Sequence, residues 1–138
     1  MVPRPELLER IERAFQVTPI VTLLGPRQCG KTTIARVIAQ KNGAAIFDLG
    51  DQADNAALTN PNLALSGKRG LIIIDEVQHR PELFPALRVL VDRPDNAARF
   101  LLLGSASPTL VRGVSETLAG RTSFVDMAGF TLEEVGSS

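Results

Sequence analysis

The sequence contains no tryptophan and no tyrosine, and it has only six phenylalanines and one cysteine among 138 residues. The core must therefore be built mainly from aliphatic side chains. A surface that stacks the bases of single-stranded nucleic acid needs exposed aromatic rings, and this sequence has few to offer. A single cysteine excludes an intrachain disulfide framework, which is typical of a reducing, cytoplasmic compartment.

The sequence also lacks an excess of charge, because fifteen Lys and Arg residues balance fifteen Asp and Glu residues. This balance argues against a general polyanion-coating protein, although it leaves room for a local basic patch. No apolar run approaches the roughly 18 residues that a membrane-spanning helix needs, and the charged N-terminus does not resemble a signal peptide. With 44% apolar residues and this length, we expect one globular cytoplasmic domain with no membrane contact.

Short apolar runs alternate with helical patterns along the chain. Strands are predicted at Ile20–Leu24, Ala44–Leu49, Leu71–Ile74, Arg99–Leu103 and Thr122–Met127. Helices are predicted at Pro5–Phe15, Lys31–Lys41, Leu83–Val91 and Thr109–Leu118, with one or two helical turns at Pro61–Leu65 and a further element over Phe130–Val135. The polar stretch Gly50–Leu58 is predicted to be a loop. Continuous apolar strands that alternate with helices indicate an α/β fold, with a parallel sheet covered on both faces.

Residues 25–33, with the sequence GPRQCGKTT, contain the pattern G-x-x-x-x-G-K-[ST]. Glycines in such a loop let several main-chain N–H groups turn towards one anion, and the following helix adds the positive end of its dipole. Lys31 is predicted to reach the β- and γ-phosphates, and the Thr32 hydroxyl to bind Mg²⁺. A predicted buried strand precedes the pattern and a helix follows it, which favours a phosphate-binding loop over a chance match. The predicted nucleotide-binding residues are Gly25, Pro26, Arg27, Gln28, Cys29, Gly30, Lys31, Thr32 and Thr33.

Two carboxylates, Asp75 and Glu76, end the predicted strand Leu71–Ile74. In a nucleoside triphosphatase the aspartate at this strand tip holds Mg²⁺, and the following glutamate polarises the attacking water as a general base. The alternative is that the two acids are merely exposed at a strand tip, where they improve solubility. The phosphate-loop pattern favours the functional role over this alternative. Water activation by Glu76 points to ATP hydrolysis, and the Asn-Lys-x-Asp guanine reader of GTPases does not occur in the sequence.

Polar residues also follow the fourth predicted strand and lie late in the chain. Ser105 is the first candidate for a residue that senses the γ-phosphate, and Ser107 the second, with a helix N-cap as the competing role of Ser107. Asp48 either contacts Mg²⁺-bound water or caps a turn. Arg121, and less strongly Arg112, is a candidate for stabilising transition-state charge in cis or from a neighbouring molecule; a solvated charge or a local ion pair is the alternative for each. A metal site at His79 is not expected, and Gln78 either contacts Glu76 or the nucleotide or has a plain loop role.

The segments GPRQCGKTT, LIIIDEVQ, FLLLGSASPTL and SETLAGR, in this order, resemble an AAA+-type ATPase family of bacteria and archaea. The resemblance covers nearly the whole chain and implies a three-layer P-loop NTPase fold, with a five-stranded parallel sheet of AAA+/RecA-like strand order. It also implies roles for individual residues: Lys31 and Thr32 at the phosphates and Mg²⁺, Asp75 and Glu76 as metal and catalytic acids, Ser105 at the sensing position, and Arg121 in a recurring Gly-Arg pair.

Members of that family continue into a long C-terminal region, so residues 1–138 are interpreted as one P-loop ATPase domain, the N-terminal fragment of a longer protein. The expected function is to bind ATP and Mg²⁺ and to hydrolyse ATP to ADP and phosphate, as a motor or switch. A nucleotide-dependent interaction module with negligible turnover is the alternative, and a small-molecule or nucleotide kinase is a weaker one. The expected partners are ATP and ADP, the C-terminal region and possible further copies of the chain; this fragment gives no support for nucleic acid.

Overall fold

The computed structural model describes residues 5–25, 31–65 and 68–127, with the main chain alone at positions 5, 31, 32 and 62. The predicted element over Phe130–Val135 lies outside these ranges. The helices are α1 (Pro5–Val17), α2 (Lys31–Asn42), α3 (Gln52–Ala57), α4 (Pro61–Leu65), α5 (Leu83–Asp92) and α6 (Pro108–Thr117). The strands are β1 (Ile20–Leu24), β2 (Ala45–Asp48), β3 (Gly70–Asp75), β4 (Ala98–Gly104) and β5 (Thr122–Asp126), and a short 3-10 turn spans Val77–His79.

The five strands form one sheet in the order β2-β3-β4-β1-β5, and every neighbouring pair is parallel. This confirms the predicted α/β fold with a five-stranded parallel sheet. The register sets Leu24 beside Gly104 and Asp48 beside Asp75, so the carboxyl ends of four strands lie along one edge. β4 separates β1 from β3, and the chain therefore crosses over the sheet between its first and third strands.

Side chains of the central strands alternate between two apolar clusters, one on each face of the sheet. In β3, Ile72 and Ile74 pack with α5 and α6 on one face, whereas Leu71 and Ile73 pack with α1 and α2 on the other. Alternation of this kind follows from the two-residue period of a strand. It makes β1, β3 and β4 apolar on both faces, and the result is three layers, helices–sheet–helices.

The two edge strands are less covered than the continuous apolar pattern predicts. In β2, Ile46 is 38% exposed, and in β5 Phe124 is also 38% exposed. Each of these strands has a neighbour on one side only, so the helical layers do not close over them completely. Burial on both faces therefore holds for the three central strands. Among the described residues, no helix is both long and apolar enough to cross a membrane.

The predicted loop over Gly50–Leu58 is wrong, because residues Gln52–Ala57 form α3. Asp51 is the N-cap of this helix, and its Oδ1 accepts hydrogen bonds from the main-chain N–H of Ala53 at 2.8 Å and Asp54 at 3.3 Å. At the other end, Leu58 is fully buried in the cluster against α5. A capping aspartate and one buried leucine fix a helix that is too short to show an apolar period.

Candidate functional site

The predicted site residues fall on the edge of the sheet where the strands end. Since ligands of open α/β sheets bind outside the carboxyl ends of the strands, this edge is the candidate site. β1 leads into the phosphate-loop pattern, β3 ends at Asp75, and β4 ends at Gly104, directly before Ser105. The fold thus places these three predicted segments along a single edge, with β4 between the other two.

The phosphate-loop pattern has the predicted strand before it and the predicted helix after it. β1 ends at Leu24, and α2 begins at Lys31. Between them, the main-chain N–H of Gly25 donates to the carbonyl oxygen of Gly104 at 3.2 Å, so the loop begins in contact with the tip of β4. Residues 26–30 and the side chains of Lys31 and Thr32 lie outside the described structure, and their roles stay predictions. Thr33 is half-buried in the first turn of α2.

Asp75 ends β3 with a carboxylate that is held in place and only 6% exposed. Its Oδ1 accepts from the main-chain N–H of Glu76 at 2.8 Å, and its carbonyl oxygen accepts from the N–H of Leu49 at 3.0 Å. A buried carboxylate is costly unless hydrogen bonds or a cation compensate for lost hydration. Its placement at a strand tip therefore fits a cation-binding role better than a solvating one.

Glu76 has a left-handed main-chain conformation, with φ 57° and ψ 46°, unlike every other described non-glycine residue. Such a conformation costs about 1–3 kcal/mol and is concentrated at functional sites. The Glu76 carboxylate accepts from Nε2 of Gln78 at 3.1 Å. A Cβ on Gly50 would lie 3.9 Å from Cγ of Glu76, so this side chain extends near the segment that follows β2.

The two serines after β4 have different surroundings. Ser107 is the N-cap of α6, and its Oγ accepts from the main-chain N–H of Leu110 at 3.1 Å, with Pro108 in the first turn. The N-cap role of Ser107 is therefore confirmed. Ser105 is half-buried at the candidate edge, and its carbonyl oxygen accepts from the N–H of Ser107 at 2.8 Å. Its hydroxyl remains a predicted contact for the γ-phosphate.

Arg121 lies at the opposite edge of the sheet from Asp75 and Glu76. Its carbonyl oxygen accepts from the N–H of Ile20, the first residue of β1. Its guanidinium forms a two-pronged pair with Asp92, with Nε to Oδ1 at 2.8 Å and Nη2 to Oδ2 at 2.7 Å. A five-residue strand spans about 16 Å, so the structure does not bring Arg121 to the other predicted catalytic residues of its own molecule.

The Arg121–Asp92 pair gives a pH-dependent contribution to stability. The hydrogen bond from Arg121 lowers the pKa of Asp92, and the same bond raises the pKa of Arg121. For a carboxylate with a lowered folded-state pKa, the contribution is complete above the ordinary aspartate pKa of about 4 and is lost as the pH falls through the lower value. We expect the melting temperature of Asp92→Asn to lie below that of the wild type at pH 7, with the gap closing as the pH falls below about 4.

Thermal unfolding of both proteins across this pH range measures the gap. As a control, the melting temperature of the double variant Asp92→Asn/Arg121→Gln should run parallel to that of the single variant, because residue 92 carries no charge in either; loss of the hydrogen bond from Nη1 of Arg121 to the carbonyl oxygen of Ala119 gives a constant offset. A gap of constant size down to pH 2 would contradict this account.

No pattern in the sequence predicts a second group of contacts, which joins the segment after β2 to the segment after β3. Arg80 donates from Nε to Oδ1 of Asn55 at 3.0 Å and from Nη2 to the carbonyl oxygen of Asn55 at 3.1 Å. Asn55 in turn donates to the carbonyl oxygen of Leu49 at 2.9 Å. Asp48 belongs to the same region, where its Oδ1 accepts from the N–H of Gly50 at 2.9 Å. That bond supports the turn-capping alternative for Asp48.

The donors at the tip of β3 suit Mg²⁺, which proteins usually hold with one or two carboxylates together with waters and substrate phosphates. Asp75 supplies a buried carboxylate of this kind. Within the described ranges, no group of three or more His, Cys, Asp or Glu side chains could hold a metal by itself. A single buried carboxylate at a strand tip fits a cation whose other ligands are waters and nucleotide phosphates.

A parallel sheet of this strand order, with a G-x-x-x-x-G-K-T pattern between β1 and α2 and an Asp-Glu pair at the tip of β3, defines a P-loop NTPase. A family model described as an AAA domain matches residues 17–136, and the chain belongs to this family. Residues 17–136 therefore form an AAA-type P-loop domain, and this family supports a nucleotide-binding, ATPase-like function for the domain.

Two mycobacterial proteins are similar over the whole chain. They are "Uncharacterized protein Rv2008c" of Mycobacterium tuberculosis (strain ATCC 25618 / H37Rv) and "Uncharacterized protein Mb2031c" of Mycobacterium bovis (strain ATCC BAA-935 / AF2122/97), each 51% identical over 138 residues. The matches cover 100% of this chain and 31% of each relative. The chain thus spans about a third of the length of the curated relatives it matches.

Solved structures share the fold at low sequence identity. The Walker-type ATPase PABY2304 of Pyrococcus abyssi matches with a TM-score of 0.61 at 14% identity, covering 91% of this chain and 54% of that one. The P-loop NTPase domain of the sigma-54 transport activator from E. coli matches with a TM-score of 0.52 at 20% identity, covering 89% and 96%. A chain of Drosophila ORC bound to GC-rich DNA and Cdc6 matches with a TM-score of 0.51 at 16% identity, covering 96% and 30%. At these identities the likeness concerns the fold alone.

Proposed function

We propose that this domain binds ATP together with Mg²⁺ and hydrolyses it to ADP and phosphate, as the nucleotide-driven motor or switch of a larger protein. The observation behind the proposal is the position of Asp75 and Glu76. Asp75 ends β3 and Glu76 follows it, on the edge where the loop between β1 and α2 begins. Asp75 is buried, and Glu76 has a left-handed main chain. Hydrolysis requires the bound phosphates and a catalytic carboxylate to lie next to each other, as these two segments do at this edge of the sheet.

In this proposal, residues 25–33 bind the phosphates through main-chain N–H groups, and Lys31 adds a positive charge at the β- and γ-phosphates. The N-terminus of α2, which begins at Lys31, favours a phosphate through its dipole. Asp75 and Thr32 would hold Mg²⁺, which when bound neutralises charge on the phosphate oxygens. The buried position of Asp75 at the tip of β3 supports this assignment.

Glu76 would act as the general base. Its carboxylate accepts a proton from the attacking water, the water oxygen bonds to the γ-phosphorus, and the bond between that phosphorus and the β–γ bridging oxygen breaks. ADP leaves with the electron pair of that bond. Ser105, half-buried one residue beyond β4, would contact the γ-phosphate or orient the water.

Arg121 would contribute to catalysis only from a neighbouring copy of the domain. Arg121 lies at the edge of the sheet where the strands begin, and its guanidinium pairs with Asp92 there. The nucleotide site of the same chain lies at the other edge, where the strands end. In a homo-oligomer, the edge of one molecule where the strands begin could contact the edge of the next molecule where the strands end. Arg121 would then lie beside the neighbour's nucleotide. The two mycobacterial relatives are about three times as long as this chain. A further region of a longer protein would then be a second partner of the domain.

The test is a binding and turnover assay that compares ATP with GTP, each with and without Mg²⁺. We expect phosphate to be released from ATP in the presence of Mg²⁺, with little release when Mg²⁺ is chelated and a preference for ATP over GTP. A protein that binds ATP tightly but releases no phosphate would contradict hydrolysis by this domain. It would favour the interaction module, whose partner affinity should differ between ATP, ADP and no nucleotide.

A further inference from the structure

We infer that Gln78 is a positioning residue for Glu76, and that its side-chain amide fixes the catalytic carboxylate relative to the strand tip where the phosphate loop begins. This inference rests on the proposed hydrolysis and adds a residue to it. The contact that supports it is the hydrogen bond from Nε2 of Gln78 to Oε2 of Glu76, 3.1 Å long.

The orientation of the Gln78 amide is set by its surroundings. With Nε2 towards Glu76, the donor faces a carboxylate; the reversed amide would set two oxygens against each other. In this orientation Oε1 is buried and has no hydrogen-bond partner among the described residues. An unpaired buried acceptor is unfavourable, so the fold tolerates a cost at Gln78 that an apolar side chain of the same size would avoid.

The other end of the amide packs against the tip of β4. A Cβ on Gly104 would lie 2.6 Å from Cδ2 of Leu110, closer than real Cβ atoms approach their neighbours, and 3.1 Å from Oε1 of Gln78, tighter than most real Cβ contacts. The missing side chain of Gly104 therefore makes room for the amide. The carbonyl oxygen of Gly104 accepts the N–H of Gly25, the first residue of the phosphate-loop pattern.

Gln78 thus connects Glu76 to the strand tip where residues 25–33 begin. A general base acts only when its carboxylate points at the attacking water. The main chain of Glu76 is left-handed and its side chain is only half-buried, so packing alone does not hold the carboxylate in one orientation. A base that is free to sample several rotamers spends less time in line with the attacking water. Holding the carboxylate with one amide restricts this freedom without removing its ability to accept a proton.

The variant Gln78→Met tests the inference, because methionine retains the length of the side chain and lacks the amide donor. We expect kcat for ATP to fall about 10-fold, while the Kd for ATP stays within about 2-fold. The melting temperature should be unchanged or higher, since the unpaired buried oxygen is removed. The matched control is Gln40→Met, on the exposed side of α2, which should leave all three quantities unchanged.

A second measurement reports the contact without turnover. In a ¹H–¹⁵N spectrum, the side-chain amide signal of Gln78 is identified by its disappearance in Gln78→Met. Glu76→Ala should shift that signal, and Glu116→Ala, an exposed change in α6, should not. If the chemical shift of the Gln78 amide were the same in Glu76→Ala as in the wild type, the inferred contact between the two side chains would be wrong.

The kinetic measurement also has outcomes that overturn the inference. An active wild type with an unaltered kcat in Gln78→Met does so, as does a kcat loss that parallels a fall in melting temperature. A wild type that releases no phosphate contradicts the proposed hydrolysis instead, and the amide signal then decides whether Gln78 holds Glu76.

Discussion

Replacing Glu76 with glutamine is expected to lower kcat for ATP by at least about 100-fold while the protein still binds ATP. General bases contribute about 10²- to 10⁴-fold to rate, and glutamine cannot accept the proton of the attacking water at neutral pH. The amide has nearly the outline of the carboxylate, and its oxygen can still accept from Nε2 of Gln78. The fold and the left-handed main chain are therefore retained. Single-turnover phosphate release and equilibrium binding of ATP separate the two effects.

The matched control for this experiment is Glu116→Gln, the same chemical change on the exposed surface of α6. It should behave as the wild type in both assays. If Glu76→Gln retained more than about a tenth of wild-type kcat, Glu76 would not be the general base. If ATP binding were lost as well, the effect would lie in the structure of the site.

The fold was largely predictable because the central strands are apolar at most positions, with Thr22, Asp75 and Arg99 as the exceptions. Predicted and observed bounds of all five strands agree to within one residue, as for Arg99–Leu103 against Ala98–Gly104. Burial from both faces leaves little choice of residue type in a central parallel strand. The exposed edge strands β2 and β5 were recognised as strands as well, but their incomplete cover was not, since it depends on which strand ends up at the edge.

Short elements with few buried residues were less predictable. α3 depends on an aspartate cap and on a single buried leucine after its end, and neither produces an apolar period in the sequence. The left-handed conformation of Glu76 was not predictable either, because nothing in the residues beside it specifies a positive φ at a non-glycine position. The hydrogen bond between the side chains of Gln78 and Glu76, only two positions apart, is one of the alternatives that the sequence leaves open, and the structure contains it.

The candidate site illustrates what a motif can and cannot convey. The sequence predicts that the acids at the tip of β3, Asp75 and Glu76, share an edge with the start of the phosphate-loop pattern after β1, and they do, because parallel strands align their carboxyl ends. Arg121 was grouped with them as a catalytic candidate, yet it precedes β5 and so lies at the opposite edge. Its pairing with Asp92 joins residues 29 positions apart in the chain, a contact that single-sequence patterns do not reveal.

Replacing Lys31 with alanine is expected to remove most of the stabilisation of the protein by ATP. A ligand that binds only the folded state adds about 2.7 kcal/mol at a concentration of 100 times its Kd. Without the lysine charge at the β- and γ-phosphates, we expect the Kd for ATP to rise at least about 100-fold, which reduces this contribution to well under 1 kcal/mol at the same concentration. Thermal unfolding with and without ATP and Mg²⁺ measures the loss.

The control for this change is Lys41→Ala, in the last turn of the same helix, where the ammonium group pairs with Glu12 at 3.2 Å on the surface. Both variants remove one positive charge from α2, so a general electrostatic effect of the helix on ATP would reduce the stabilisation in both. A specific phosphate contact reduces it in Lys31→Ala alone. Retention of the full ATP-dependent shift in Lys31→Ala would show that ATP is bound without this lysine, and the phosphate loop would lose its assigned role.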